Sequence, residues 1–257
     1  MRKATLFLVP IAIFHGACVA DDLSETDQII QNLVEAGYSS DDIRVVDGDV
    51  FVGNDALVTL GTSREMLDAE GGATIDLETI QYTTNNLVAP NIRTICVFDV
   101  MGSPTLTAGL NLAMSRYNSL GLNFTFKTGV IGCDAMITAQ FDFNAPGGVS
   151  GFPQNGMPFG SLTIHNQTAL LGVPIASHVI AHELGHTIGF RHSDFFDRSI
   201  SCAGAPTNEG DSGVGANLVP GTPGDAVING SLMNSCFNSG STGEFTATDI
   251  TALQTVY

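Results

Sequence analysis

The sequence predicts an α+β chain: a mixed, twisted sheet with a backing helix, a second helix bearing the chemistry, and a loop-rich C-terminal part ending in a helix. Three observations predict it. Short apolar runs flank a stretch with apolar residues at i, i+3, i+4 and i+7 between residues 93 and 165. Residues 193–245 are rich in Gly, Ser, Asn and Pro, which make up nearly half of them. Between them, residues 182–192 set histidines at helical spacing ahead of a glycine stop.

Residues 1–20 read as a secretory signal. Arg2 and Lys3 make a positive start, and residues 6–14 are an apolar run too short to span a bilayer. Cleavage after Ala20 would leave Cys18 and Ala20 as the small residues before the cut. Alternatively, Gly16-Ala17-Cys18 resembles the end of a bacterial lipobox, with Cys18 anchoring a cell-envelope lipoprotein. His15 stands where a lipobox has leucine, which favours soluble, extracellular export. No other stretch is long and apolar enough for a membrane helix.

Residues 21–90 form an acidic segment, with fifteen Asp and Glu against Arg44 and Arg64 in a chain of formal net charge −17. Residues 25–36 predict an amphipathic helix, Ile29, Ile30, Leu33 and Val34 on one side and Gly37 as its stop. Residues 43–46 and 50–52 predict strands joined at Asp47-Gly48, a hairpin signal. Residues 83–90 read as a linker. So few large apolar groups make a poor independent core, so the segment is expected to dock on something. Nucleic acid is excluded as a partner, because an anionic surface repels phosphate.

Residues 91–257 predict the catalytic unit, expected to act as a monomer. Strands are expected at 93–100, 123–127, 135–141 and 161–165, with 144–160 a Gly/Pro-rich loop. The backing helix, 106–120, carries Leu110, Ala113, Met114 and Tyr117 on one face. Pro174 opens the next helix, where proline is tolerated in the first turn. The last helix, 246–257, has Ile250, Leu253 and Val256 on one face and Thr246 or Thr248 near its N-cap. Once Cys18 leaves or is lipidated, Cys96, Cys133, Cys202 and Cys236 remain, an even number that in an exported chain reads as disulfides with three connectivities. Cys202–Cys236 would tie the loop after the chemistry-bearing helix to the segment near Met233, leaving Cys96–Cys133. Free buried thiols are the alternative.

The chemistry is written in His182-Glu183-Leu184-Gly185-His186 and its sequel. His182 and His186 project from one helix face a turn apart. Two neutral imidazoles so placed can grip one zinc ion, with Glu183 beside them to take a proton from a bound water. Gly189 suits a sharp left-handed turn, after which His192 can return as third ligand, leaving one tetrahedral position open. A histidine-rich core helix is the bland alternative; four of the six histidines fall between His178 and His192, which disfavours it. His165 and His178 read as structural.

The extended pattern resembles the metzincin signature. Ser231-Leu232-Met233-Asn234 is similar to the methionine turn that follows it, which implies Met233 as an apolar floor beneath the metal. Arg191-His192-Ser193-Asp194, Asn208-Glu209-Gly210, residues 220–225 and 231–236, with Arg116-Tyr117-Asn118 and Gly151-Phe152-Pro153 upstream, resemble the dual-action HEIGH metallopeptidases, of the bacterial protease B type. Leu184 departs from the family's isoleucine, a volume-conserving change. No tyrosine comes immediately after the methionine turn, where Asn234 stands. The resemblance implies a metzincin-like zincin fold, a polypeptide substrate and peptide-bond hydrolysis, with Leu162-Thr163-Ile164 as a free strand edge for extended substrate. Phe51-Val52-Gly53-Asn54-Asp55 resembles the Phe-x-Gly-Asp stretch of astacin-type pro-segments, which makes Asp55 a candidate latency ligand and the chain a candidate zymogen. Calcium, given Asp197, Glu209, Asp211 and Asp225, has no EF-hand or repeat pattern behind it, so these read as solvated loop acids. Alternatives are a zinc-stabilised extracellular binding or adhesion module without turnover, and a zinc hydrolase of non-peptide amides or esters.

Overall fold

The computed structural model describes residues 23–53, 55–68, 81–209, 216–222 and 226–257. The signal stretch 1–20, with Cys18, and the acids Asp211 and Asp225 lie outside the described residues. Helix α1 (Glu25–Glu35) starts at Ser24, whose hydroxyl accepts from the Asp27 amide, and buries Ile29 and Leu33. Strands β1 (Ile43–Val46) and β2 (Asp49–Val52) form the hairpin, Asp47 and Gly48 both taking positive φ as a two-residue turn requires. Strand β3 (Ala56–Val58) pairs antiparallel with β2, and α2 (Leu60–Asp68) follows.

The rest of the chain supplies β4 (Tyr82–Thr83), β5 (Thr94–Asp99), α3 (Pro104–Asn118), β6 (Thr125–Thr128), β7 (Ala135–Asp142), β8 (Gly148–Gly151), β9 (Ser161–His165), α4 (Val173–Thr187), β10 (Asn217–Leu218) and α5 (Ala247–Val256). Eight strands make one sheet in the order β1-β2-β3-β8-β9-β7-β5-β6. Strands β6, β5, β7 and β9 are mutually parallel, whereas β8 runs antiparallel to β9. Alternation along β7 sends Ala135, Ile137 and Ala139 inward and exposes Met136 and Gln140. The inward row meets Leu106, Leu110 and Ala113 of α3 and Val179, Ile180 and Leu184 of α4 in the main core. The helices approach closely: a Cβ on Gly109 would lie 3.0 Å from the Ala176 backbone. Thr246 caps α5 in a capping box with Asp249.

Three expectations are corrected here. The loop 144–160 contains β8, hidden in the sequence because glycines at 147, 148 and 151 weaken any strand signal. Strand β9 has no free edge: it sits between β7 and β8, Leu162, Thr163 and Ile164 pairing with β7 and Thr163 and Ile164 with β8 as well. Residues 83–90 are not a loose tether. Thr83 pairs with Asn217, the Thr84 amide donates to the Gly189 carbonyl, and Val88 is buried.

The acidic segment adds its strands to the sheet. Strand β3 joins β8 in parallel, with Ala56 opposite Ser150 and Leu57 opposite Gly151. Its small core of Ile29, Leu33, Val50, Val52, Val58 and Met66 includes Phe152, contributed from beyond residue 90. Both expected disulfides are present, Cys96–Cys133 and Cys202–Cys236, with Cα separations of 5.5 and 5.2 Å. Among the described residues, no helix is long and apolar enough to cross a membrane.

Candidate metal centre

Helix α4 ends in a Schellman motif: the Phe190 amide donates to the Gly185 carbonyl and the Gly189 amide to that of His186. Gly189 takes φ +104°, and a Cβ there would lie 2.7 Å from the Asn86 carbonyl oxygen, so two independent constraints demand glycine. This turn does two things for the histidines. It points the Phe190 carbonyl back at His186 Nδ1, 2.8 Å away, and it brings His192 beside the helix.

His182 Nε2 lies 3.1 Å from His186 Nε2 and 3.2 Å from His192 Nε2. Each ring's other nitrogen faces an acceptor: His182 Nδ1 the Leu232 carbonyl at 3.0 Å, His186 Nδ1 the Phe190 carbonyl, His192 Nδ1 the Glu209 carboxylate at 2.5 Å. Those partners fix the protons on Nδ1, so three Nε2 lone pairs converge on one point. Lone pairs so placed repel unless a cation lies among them. Tetrahedral zinc with bonds of ~2.0–2.1 Å separates its donors by about 3.3 Å, close to the spacing here. The donor set therefore fits a divalent cation of borderline softness.

Asp55 completes the group. Its Oδ2 lies 3.2 Å from His192 Nε2 and 3.7 Å from His182 Nε2, and its Oδ1 lies 3.8 Å from His186 Nε2. Among the described residues, Asp55, His182, His186 and His192 are the one cluster able to hold a metal ion. Burial pushes the Asp55 carboxyl up, but the imidazoles outweigh it and hold the group well below the usual carboxylate range. The Asp55 carbonyl accepts from the Ser150 amide at 2.8 Å, so β8 fixes the backbone that delivers the carboxylate.

Glu183 is buried, one carboxylate oxygen without a hydrogen-bond partner among the described residues. Burial, reinforced by the Asp55 charge, pushes its carboxyl well above the usual range. It rests on strand β8, where a Cβ on Gly148 would come within 2.8 Å of Oε1. Met233 is buried with its sulfur against Gly185 of α4, and its carbonyl accepts from the Ser193 amide. Asp194 stitches the same loops together, accepting from the Ser235 amide and from the hydroxyls of Ser201 and Ser235. Burial pushes His178 down to about 3, with His182 adding to it; it lines the cleft without joining the cluster. His165 pairs with Asp142 at 2.6 Å on the rim. The cleft, of about 950 Å³, is lined among others by His182, Glu183, Asp55, Gly148, Val149 and Arg198.

Glu209 corrects the sequence reading, which placed it among solvated loop acids. It is buried, and besides His192 it meets Arg191 and Arg198, each at 3.4 Å. Burial pushes its carboxyl up, but His192 and the two arginines outweigh it and lower it. A lone acid between Asn208 and Gly210 carries no periodic signal; only the local Asn-Glu-Gly motif singled it out.

A family model described as dual-action HEIGH metallopeptidase matches residues 50–257. Two solved structures of myroilysin resemble the chain at 17% and 18% identity, each with a TM-score of 0.43. They cover 67% and 68% of this chain, and 86% and 97% of their own. No curated protein matches.

Proposed function

The chain belongs to the dual-action HEIGH metallopeptidase family, and from that premise we propose that it is an exported zinc endopeptidase made in a latent form. The convergence of three Nε2 lone pairs, each fixed by an acceptor on Nδ1, carries the reading of the metal site. His182, His186 and His192 would hold the ion. Zinc bound there supplies Lewis acidity, polarising a scissile carbonyl and bringing the pKa of water towards ~7. Glu183 takes the proton of the attacking water and returns it to the leaving amine. Extended substrate pairs with β8, whose Gly148–Val149 half lies beyond the register of β3 and borders Glu183. Two disulfides and the basic-then-apolar N-terminus favour an oxidising, extracellular compartment.

Latency rests on Asp55, which takes the fourth side of the histidine cluster while β3 occupies half of β8. The test is chelator-sensitive hydrolysis of a diverse peptide library, before and after release of the acidic stretch ahead of Gln81, which keeps β4 and the buried Val88 in place. Zinc-dependent cleavage is expected after release, and no chelator-sensitive cleavage then overturns the peptidase assignment. Asp55→Ala in the full chain should raise turnover roughly tenfold or more, the scale of one lost charged contact. Unchanged turnover in both Asp55→Ala and the released enzyme removes the latency reading. Glu183→Ala should lower kcat by roughly 10²–10⁴ with metal content and fold retained.

A further inference from the structure

The acidic segment makes a second charged contact with the cleft. Asp42 lies 3.4 Å from Arg198 Nη1, and the Arg191 guanidinium lies 5.3 Å from the Tyr38 ring and 4.7 Å from that of Phe195. Both arginines share Glu209. Arg191 is 1% exposed, and its Nε and Nη1 have no hydrogen-bond partner among the described residues. With the segment docked, two guanidinium groups face two carboxylates. When it leaves, Asp42 and the Tyr38 cover go together, and the cluster carries one net positive charge in the cleft wall. Of the five bases in 91–257, Arg198 alone lines that cleft, in a chain whose surface is otherwise strongly acidic.

We propose that Arg198, backed by Arg191, is a specificity-determining subsite for an acidic side chain of the substrate, and that Asp42 fills it in the latent chain. The proposal rests on the latency reading above. A planar guanidinium presents a fork that matches a carboxylate, which makes it selective for Asp and Glu over their amides. The contacts run from Asp55 through His192 and Glu209 to Arg198. The acidic residue would therefore fall close to the scissile bond in an extended substrate. Docked, the segment places one carboxylate at the metal cluster and another on Arg198.

The experiment uses the full-length chain loaded with zinc and processed by limited proteolysis. It is assayed on matched peptides carrying Asp or Glu, or Asn or Gln, at each position flanking the cut. A preference of about tenfold or more in kcat/KM for the acid at one of those positions is expected. Arg198→Gln should bring that acid-to-amide ratio close to one. Arg198→Lys, which keeps the charge and loses the fork, should lower it several-fold and serves if the glutamine variant does not fold. Cleavage without acidic preference, or a ratio that Arg198→Gln and Arg198→Lys leave unchanged, overturns the proposal. If processing yields no cleavage of any peptide, the peptidase assignment fails instead, and the subsite falls with it; if processing leaves turnover unchanged, the latency reading fails.

Discussion

At the scale of single residues, the site depends on side chains that never face substrate. Glu209 holds His192 by Nδ1, so Glu209→Gln would exchange a charged acceptor for a neutral amide and loosen the third imidazole. Zinc affinity should fall about 10–100-fold, read by competition with a chromophoric chelator. Wild-type affinity in that variant would show that His192 holds its orientation without the carboxylate. Gly148 works by what it lacks. Gly148→Ala would place a methyl within 2.8 Å of the Glu183 carboxylate, displacing that carboxylate rather than the histidine cluster. The expected signature is a loss of kcat at unchanged metal content. A fall in zinc occupancy would point instead to general disruption of the cleft.

At the scale of elements, the connections matter more than the strands and helices. Gly53 takes φ +62°, and a Cβ there would come within 2.7 Å of Glu209 Oε1. Gly53→Ala should therefore unseat the turn leading to Asp55, raising basal turnover of the unprocessed chain; no rise would mean that the turn yields without releasing Asp55. The two disulfides close loops of similar length, with sequence separations of 37 and 34 residues, so each should contribute about 4 kcal/mol on chain-entropy grounds. Their effects on catalysis should differ. Cys236 lines the cleft next to Asn234 and Ser235, whereas Cys96 lies in β5, away from it. Removing either bridge should lower Tm by roughly 10 °C, but only loss of Cys202–Cys236 should also raise KM; equal effects on KM would show that the bridge does not shape the cleft. Elements built from local signals were legible in the sequence: the Asp47-Gly48 hairpin, the apolar face of α3, the Thr246 cap and the glycine stop after α4. Strand order was not, because β3 and β8 find each other across about ninety residues and neither carries a periodic pattern. The substrate edge was assigned to β9 for the same reason: a strand's neighbours are set by long-range pairing. Glu209 and Asp42 were hidden because an acid that will be buried among arginines reads like one facing water.

At the scale of the whole molecule, a metal held by the three histidines would tie α4 to the loop carrying His192 and so add stability as well as chemistry. Adding chelator should lower Tm by roughly 10 °C, the few kcal/mol contributed by an ion at 100–1,000 times its Kd. An unchanged Tm would mean that the Schellman turn and the Asp194 contacts alone hold the loop. The continuous sheet has a further consequence. A peptidase that reads extended chains must offer an unpaired strand, and such an edge is an equally good template for another copy of itself. While β3 lies on β8, it closes the Ser150–Gly151 half of that edge. Once β3 leaves, self-association is opposed by the poor strand propensity of Gly147, Gly148 and Gly151. On the latency reading, the acidic segment would thus guard colloidal stability as well as activity, and the chain from Gln81 onward, produced without it, should aggregate at concentrations where the full chain stays monodisperse in light scattering.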